Sequence, residues 1–237
     1  MTRYKLIYNI NKDIWNWRGG TKQVFFGNNY AANARFIEDE AGREIAKEIE
    51  KLNKPEAEKL LRPYLTDKKK DPSSRLNNFI TLAENEFTQK FDPAVNALEK
   101  ITQQPMMADD FTFYITTFPR MPYFYDKREI FIFDSTAEIW GLPIDGVLHE
   151  LLHFQFEHYW REDKKSPISK LSLDEYNYLK EALTVVLDTD LQPIISVPDA
   201  GHAVQAEFRE ILHEHWQKHH NFDKLIEFGL EKIPKEI

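Results

Sequence analysis

The sequence predicts an α+β fold for this chain of 237 residues. Long stretches in both halves carry apolar residues at helical spacing, which favours amphipathic helices. Two short segments, 111–118 (FTFYITTF) and 129–134 (EIFIFD), are instead aromatic and β-branched with partial alternation, which indicates strands. Helical patterning returns after Pro143. We therefore expect a small number of strands between two mostly helical regions.

The N-terminal part of the chain is predicted to be mostly helical. Residues 31–65 favour helix, after one short candidate strand at 21–27 (TKQVFFG). A further helix is expected over about 75–102, with a break at Asp92-Pro93, because the residue before a proline avoids helical backbone. These patterns divide the chain into a helical N-terminal region, 1–105, to which we assign no role, and a second region, 106–237.

Composition and charge exclude several classes of function. The chain has no cysteine, so disulfides, thiolate metal sites and cysteine nucleophiles are excluded, and a transition-metal site must use His, Asp and Glu. The net charge of -8 and the pI of about 5.5 provide no positive field that would attract nucleic acid. No stretch approaches the roughly 18 apolar residues of a membrane helix. We expect a soluble, cytoplasmic protein with no nucleic-acid or membrane partner.

The motif that carries chemistry is HELLH at residues 149–153. His149 and His153 are four residues apart, so on a helix they lie one above the other and can reach a single metal ion. Glu150 lies about 100° further round the helix, where it can accept a proton from a water molecule that the metal activates. All eight histidines lie between His149 and His220, which places the candidate chemistry in the C-terminal half.

A catalytic zinc site usually has a third protein ligand and one open position. The segment 172–188 starts with the S-x-x-E pattern of a capping box, which predicts a helix. Glu181 lies in the middle of that helix, on a polar face that also carries Thr184 and Asp188. Either of these two residues can accept a hydrogen bond from a ligand imidazole and set its tautomer. Glu181 is the preferred third ligand, and Glu157 and Asp188 are the alternatives.

HELLH followed 28 residues later by a glutamate on a second helix resembles the gluzincin class of zinc metallopeptidases, and in particular the small minigluzincins. The resemblance covers about 149–188. It implies a zincin-like catalytic domain over 106–237, with a small mixed sheet above an active-site helix and a glutamate helix. One zinc ion per chain would be bound by His149, His153 and Glu181, with Glu150 as general base. Gluzincins often carry an aspartate four residues after the glutamate. Val185 occupies that position here, so Asp188 would have to substitute.

The expected function is therefore zinc-dependent hydrolysis of peptide bonds in a peptide or protein substrate. The oxyanion of such a reaction needs a further donor, for which Tyr178 and His202 are the principal candidates and Tyr176 is a third. Two other functions fit the same residues. One is a zinc hydrolase that acts on a non-peptide amide or ester, and the other is a metal-free helical binding module in which HELLH is incidental.

Overall fold

A computed structural model describes residues 3–22, 24–25, 28–135, 141–191, 194–199 and 201–234. The described chain has an α+β fold with one small mixed sheet. None of its helices combines the length and the apolarity of a membrane span. The strands are β1 (Arg3–Tyr8), β2 (Val24–Phe25), β3 (Asn28–Asn29), β4 (Asp110–Thr116), β5 (Tyr123–Phe124) and β6 (Glu129–Phe133). The helices are α1 (Ile10–Gly20), α2 (Glu40–Ile49), α3 (Lys54–Lys70), α4 (Arg75–Thr102), α5 (Pro143–Phe156), α6 (Leu173–Ala182), α7 (Leu187–Asp190), α8 (Ala206–His219) and α9 (Phe222–Lys232).

The main sheet has four strands in the order β1-β4-β6-β5. The two strands predicted at 111–118 and 129–134 are confirmed as β4 and β6, which pair in parallel with Phe113 opposite Ile130. β5 pairs antiparallel with β6 at one edge. At the other edge, β1 pairs in parallel with β4. The sequence patterns did not predict β1, because its partner lies about a hundred residues away along the chain.

The helix α4 runs without interruption from Arg75 to Thr102 and contains Pro93. The predicted break at Asp92-Pro93 is therefore wrong. A proline inside a helix costs about 3 kcal/mol. Phe87 and Phe91 precede the proline and Leu98 follows it, and all three side chains are buried. Each such burial contributes about 1.5–3 kcal/mol, so continuing the helix through the proline is favourable.

The chain divides into two units, with boundaries within α4, directly before β4 and within α5. The unit that we call the sheet unit comprises 3–89 and 110–146 and contains the whole four-stranded sheet. Its helical core is built around Trp17, Leu61 and Leu65, which are completely buried. The division at residues 105 and 106 stays a sequence-based prediction.

The sheet unit also encloses two carboxylates. Asp13 accepts hydrogen bonds from Thr117 N and from the Thr116 and Thr117 hydroxyls at the end of β4. Asp134 directly follows β6 and accepts a hydrogen bond from Arg75 Nη2 at 2.9 Å. Burial raises the pKa of Asp13 to about 6 and that of Asp134 to about 7. These carboxylates are therefore part of the core of the unit, and their ionisation is linked to its stability.

The other unit, which we call the C-terminal unit, comprises 90–109 and 147–237. It contains α6, α8 and α9 and most of α5, and its core is made of apolar side chains from all four helices. A methyl group added at Gly229 of α9 would lie 2.7 Å from Leu179 Cδ1 on α6. This close approach holds α6 in place from the side of α9. The buried core residues of these helices include Leu148, Leu151, Leu152, Phe156, Tyr176, Leu179, Phe208, Leu212, Trp216, Phe222, Leu225 and Ile226.

Candidate metal centre

The HELLH motif lies on α5, as the sequence predicted. Leu148, Leu151 and Leu152 are buried and anchor one side of the helix in the core of the C-terminal unit. The two histidines lie beside this apolar stripe. The ring centroids of His149 and His153 are 4.4 Å apart, as expected for side chains one turn apart on the same helix. α5 therefore presents two imidazoles to one point.

The glutamate helix α6 begins with the predicted capping box. Glu175 N donates to Ser172 Oγ at 3.2 Å, and Ser172 N donates to Glu175 Oε2 at 2.8 Å. This start is local and sets where the helix begins. Glu181 then lies near the end of α6, where its side chain is 9% exposed.

Glu181 meets the two histidines through a single oxygen. Its Oε2 lies 3.3 Å from His149 Nε2 and 3.3 Å from His153 Nε2. One ligand atom from each of the three residues lies within 4.8 Å of the other two. Tetrahedral ligands bound to zinc at about 2.0–2.1 Å lie about 3.3–3.4 Å apart. The two distances from Glu181 match this spacing, and two imidazoles with one carboxylate are ligands that zinc accepts, so the group is compatible with metal binding.

A carboxylate that the sequence patterns missed orients His149. The Nδ1 atom of His149 donates to Asp199 Oδ2 at 2.5 Å, which leaves Nε2 directed at Glu181. Asp199 is held in turn, since its backbone N donates to Asp188 Oδ1 at 2.6 Å. Asp188 therefore fixes the position of Asp199 and acts on the His149 imidazole only through it. Asp199 lies fifty residues after His149 in a segment without helical or strand periodicity, so no local pattern marks it.

Arg209 of α8 connects the ligand helix to this aspartate. Its Nη1 donates to Glu181 O at 3.1 Å and to Thr184 Oγ1 at 2.6 Å, while its Nη2 donates to Asp199 O at 2.5 Å. Thr184 thus contacts Arg209, where the sequence suggested a contact with an imidazole. A Cβ at Gly201, which has a φ of +60°, would lie 2.6 Å from the Arg209 side chain. Glycine is therefore required for this close approach.

The charges of the three candidate ligands differ. Burial alone would lower the pKa of His149, but the Asp199 carboxylate raises it well above the usual value. Burial lowers the pKa of His153 to about 3, and the Lys180 ammonium acts in the same direction. Burial would raise the pKa of Glu181, but its interactions with His153, with the Lys180 ammonium and with His149 hold it well below the usual range. Glu181 and His153 are thus already in the protonation state that binds a metal, whereas His149 must lose a proton.

Glu150 is enclosed in the same unit, next to His149 on α5. It is 6% exposed, and burial raises the pKa of its carboxyl to about 7. The carboxylates of Glu181 and Asp199 add to this rise, while His149 and Lys180 oppose it. Glu150 is outside the group of three converging ligands. It can therefore exchange a proton without itself binding the ion.

The candidate oxyanion donors and the alternative third ligands lie outside the group of three converging residues. His202 Nε2 lies 3.9 Å from Glu181 Oε2, so His202 is beside the centre but outside the group of three ligands. The Tyr178 hydroxyl donates to Val204 O at 3.2 Å. The Tyr176 hydroxyl donates to Glu157, one of the two alternative third ligands. The described residues therefore bring Glu181, and neither Glu157 nor Asp188, to the two histidines.

No protein-family model matches the chain, and no curated protein or solved structure shows significant similarity to it. The support for a function is therefore the arrangement of His149, His153 and Glu181 in the C-terminal unit.

Proposed function

We propose that this protein is a zinc-dependent metallopeptidase of the gluzincin type. The observation that carries the proposal is the convergence of two HELLH imidazoles from α5 with the Glu181 carboxylate from α6. His149, His153 and Glu181 would hold one zinc ion per chain. When bound there, zinc supplies Lewis acidity that polarises a substrate carbonyl group and acidifies a water molecule.

Glu150 is the proposed general base. Its carboxylate accepts the proton of the attacking water and then returns it to the nitrogen of the leaving amine. Its position supports this role, because it neighbours His149 on α5 and is buried near the ligands without belonging to them. Its enclosure also limits competition from bulk water for the proton.

His202 is the proposed donor to the oxygen that gains negative charge during attack. Its Nε2 lies 3.9 Å from the ligand oxygen of Glu181, and its side chain is 29% exposed, so a substrate can reach it. A donor held at such a position stabilises the developing charge. The contact of the Tyr178 hydroxyl with Val204 O favours His202 over Tyr178 for this role.

The surrounding residues position these groups. Asp199 keeps the Nδ1 proton of His149, so that Nε2 is available for the ion. Arg209 ties the backbone of Glu181 to that of Asp199. A zincin-like fold is part of the proposal, and the presence of a mixed four-stranded sheet and of two ligand-bearing helices supports it.

The metal content of the purified protein tests the centre directly. The protein is prepared without chelator or His tag, and zinc is counted by mass spectrometry in the wild type, in Glu181→Ala and in Glu210→Ala. Glu210 is an exposed glutamate of α8 and serves as the matched control. We expect about one zinc per chain in the wild type and the control, and loss of most of it in Glu181→Ala.

Hydrolysis then tests the reaction. A Glu150→Gln protein should keep its zinc and lose at least about 100-fold of its peptidase rate, the usual contribution of a general base. A wild type that takes up no zinc would favour the metal-free binding module. Zinc-loaded protein that cleaves esters or small amides, but no member of a peptide library, would favour the non-peptide hydrolase.

A further inference from the structure

A second pair of histidines one helical turn apart lies on α8. The ring centroids of His215 and His219 are 4.4 Å apart, which is also the separation of the His149 and His153 rings. In the HELLH pair, both Nε2 atoms lie 3.3 Å from one carboxylate oxygen. The same spacing on α8 therefore allows one nitrogen from each ring to reach a single ion.

Packing against α9 orients the first of these two rings. His215 stacks on Phe228, with ring centroids 4.1 Å apart and an angle of 9° between the ring planes. The Nε2 atom of His215 is buried and has no hydrogen-bond partner among the residues that the structure describes. A buried polar atom without a partner is unfavourable, and a bound ion would provide one. His215 thus combines a fixed ring plane with a nitrogen that the fold leaves unused.

The second ring is open to solvent. His219 is exposed and lies in the last turn of α8, so an ion can reach it from solution. The carbonyl end of a helix carries partial negative charge and favours a cation within its last turn. An ion bound between the two rings is therefore accessible and lies at the favourable end of the helix dipole.

The charges around the pair favour the neutral form of His215. Burial lowers the pKa of His215, and His219 acts in the same direction. Lys218 and Lys224 add to this fall, while Glu231 of α9 opposes it. The neutral imidazole is the form that binds a metal ion, so little free energy is lost to the release of a proton.

The chemistry of the two side chains selects the kind of ion. Imidazole nitrogen suits zinc, nickel and copper, whereas magnesium and calcium require oxygen ligands. Within the described part of the chain, three converging ligands are found at His149, His153 and Glu181, and the α8 pair has no third. Water would therefore occupy the other coordination positions, and the pair should bind zinc more weakly than the HELLH centre does.

We propose that His215 and His219 form a second metal site, which takes zinc or another late divalent transition-metal ion. The site does not depend on the proposed function, because it shares no residue with His149, His153 and Glu181. Because its affinity is lower, it fills only when zinc is supplied in excess of the first centre. Protein purified without added zinc therefore holds an ion at the HELLH centre alone.

Calorimetric titration of zinc into the protein tests the second site. The wild type, already loaded at the HELLH centre, should take up one further ion per chain. His215→Phe keeps a ring on Phe228 but has no nitrogen, and His219→Ala removes the exposed ring. Each should weaken the further binding at least about 10-fold, since loss of even an indirect partner of a ligand costs that much. His213→Ala is the control, because His213 lies on the same helix and contacts Gln217, and it should bind as the wild type does.

The outcomes separate this site from the HELLH centre. Unchanged further binding in His219→Ala or in a folded His215→Phe would overturn the site, as would a wild type that takes up no further ion. An equal loss in His213→Ala would also overturn it, because zinc would then bind the histidines of α8 without a defined pair. Glu181→Ala should lose the ion at the HELLH centre and keep the ion that requires His219. A wild type whose bound zinc requires His219 but not Glu181 would refute the proposed function and leave this site standing.

Discussion

Replacing Asp199 by asparagine tests whether its carboxylate orients the His149 imidazole for metal binding. The substitution keeps the shape of the side chain and removes the negative charge that faces His149 Nδ1 at 2.5 Å. The amide oxygen can still accept a hydrogen bond, but a charge-assisted contact becomes a neutral one. We expect Asp199→Asn to fold and to bind zinc more weakly than the wild type.

The magnitude follows from the position of the contact behind a ligand. Loss of such a partner typically costs 10- to 100-fold in metal affinity, or about 1.4–2.7 kcal/mol. The Asp199 side chain is only 17% exposed, so solvent screens little of this interaction. Asp199 also raises the pKa of His149, and protons therefore compete with zinc in the wild type at neutral pH. The measured loss should accordingly be smaller at pH 7 than at pH 9, where the competition has fallen.

The assay is a competition titration of zinc against a chromophoric chelator at both pH values. The proteins are the wild type, Asp199→Asn and Asp174→Asn, the last at an exposed aspartate in the first turn of α6. Urea denaturation of the zinc-free proteins shows whether each variant is folded. A dissociation constant within about twofold of the wild type at both pH values would refute the role assigned to Asp199.

Two further predictions concern stability. Arg209→Met leaves the buried carbonyl oxygen of Glu181 and the partly buried one of Asp199 without this donor, which should lower the free energy of unfolding by about 2–4 kcal/mol in urea denaturation. A loss below about 0.5 kcal/mol would contradict this prediction. In the sheet unit, Asp134 has a pKa raised to about 7 by burial, so the folded state holds its proton more tightly than the unfolded state. Its stabilising contribution is therefore full below about pH 4 and is lost as the pH rises to 7. Asp134→Asn should reduce this fall in stability by up to about 1.4 kcal/mol per pH unit, and identical slopes in the two proteins would argue against the assignment.

The parts of the fold predicted from sequence are those with a local cause. The HELLH helix follows from apolar spacing, and the capping box at Ser172 and Glu175 forms both of its expected hydrogen bonds. The strands β4 and β6 consist of aromatic and β-branched residues after an acidic first residue, and they appear where expected. In each case the residues that favour the element lie close together in the sequence, so the pattern is visible in a short window.

The failures have a common physical origin as well. Pro93 was expected to break α4, but burial of apolar side chains on both sides of it continues the helix. The strand β1 was missed because a parallel partner, β4, lies about a hundred residues away. In both cases tertiary packing adds a free energy that exceeds the local preference.

The candidate metal centre also depends partly on local sequence patterns and partly on tertiary packing. The sequence by itself determined that two imidazoles and a neighbouring carboxylate share one helix, because the spacing of four residues matches the helical turn. It also favoured Glu181 as the third ligand. Only the tertiary structure brought Glu181 Oε2 to 3.3 Å from both histidines, set Asp199 behind His149 and turned Lys180 onto the second oxygen of Glu181. The contacts of Glu181 and Asp199 with the histidines join segments that are far apart in the chain. The contact of Lys180 with Glu181 joins consecutive residues that an exposed helix would turn away from each other. No short-range periodicity in the sequence predicts these contacts.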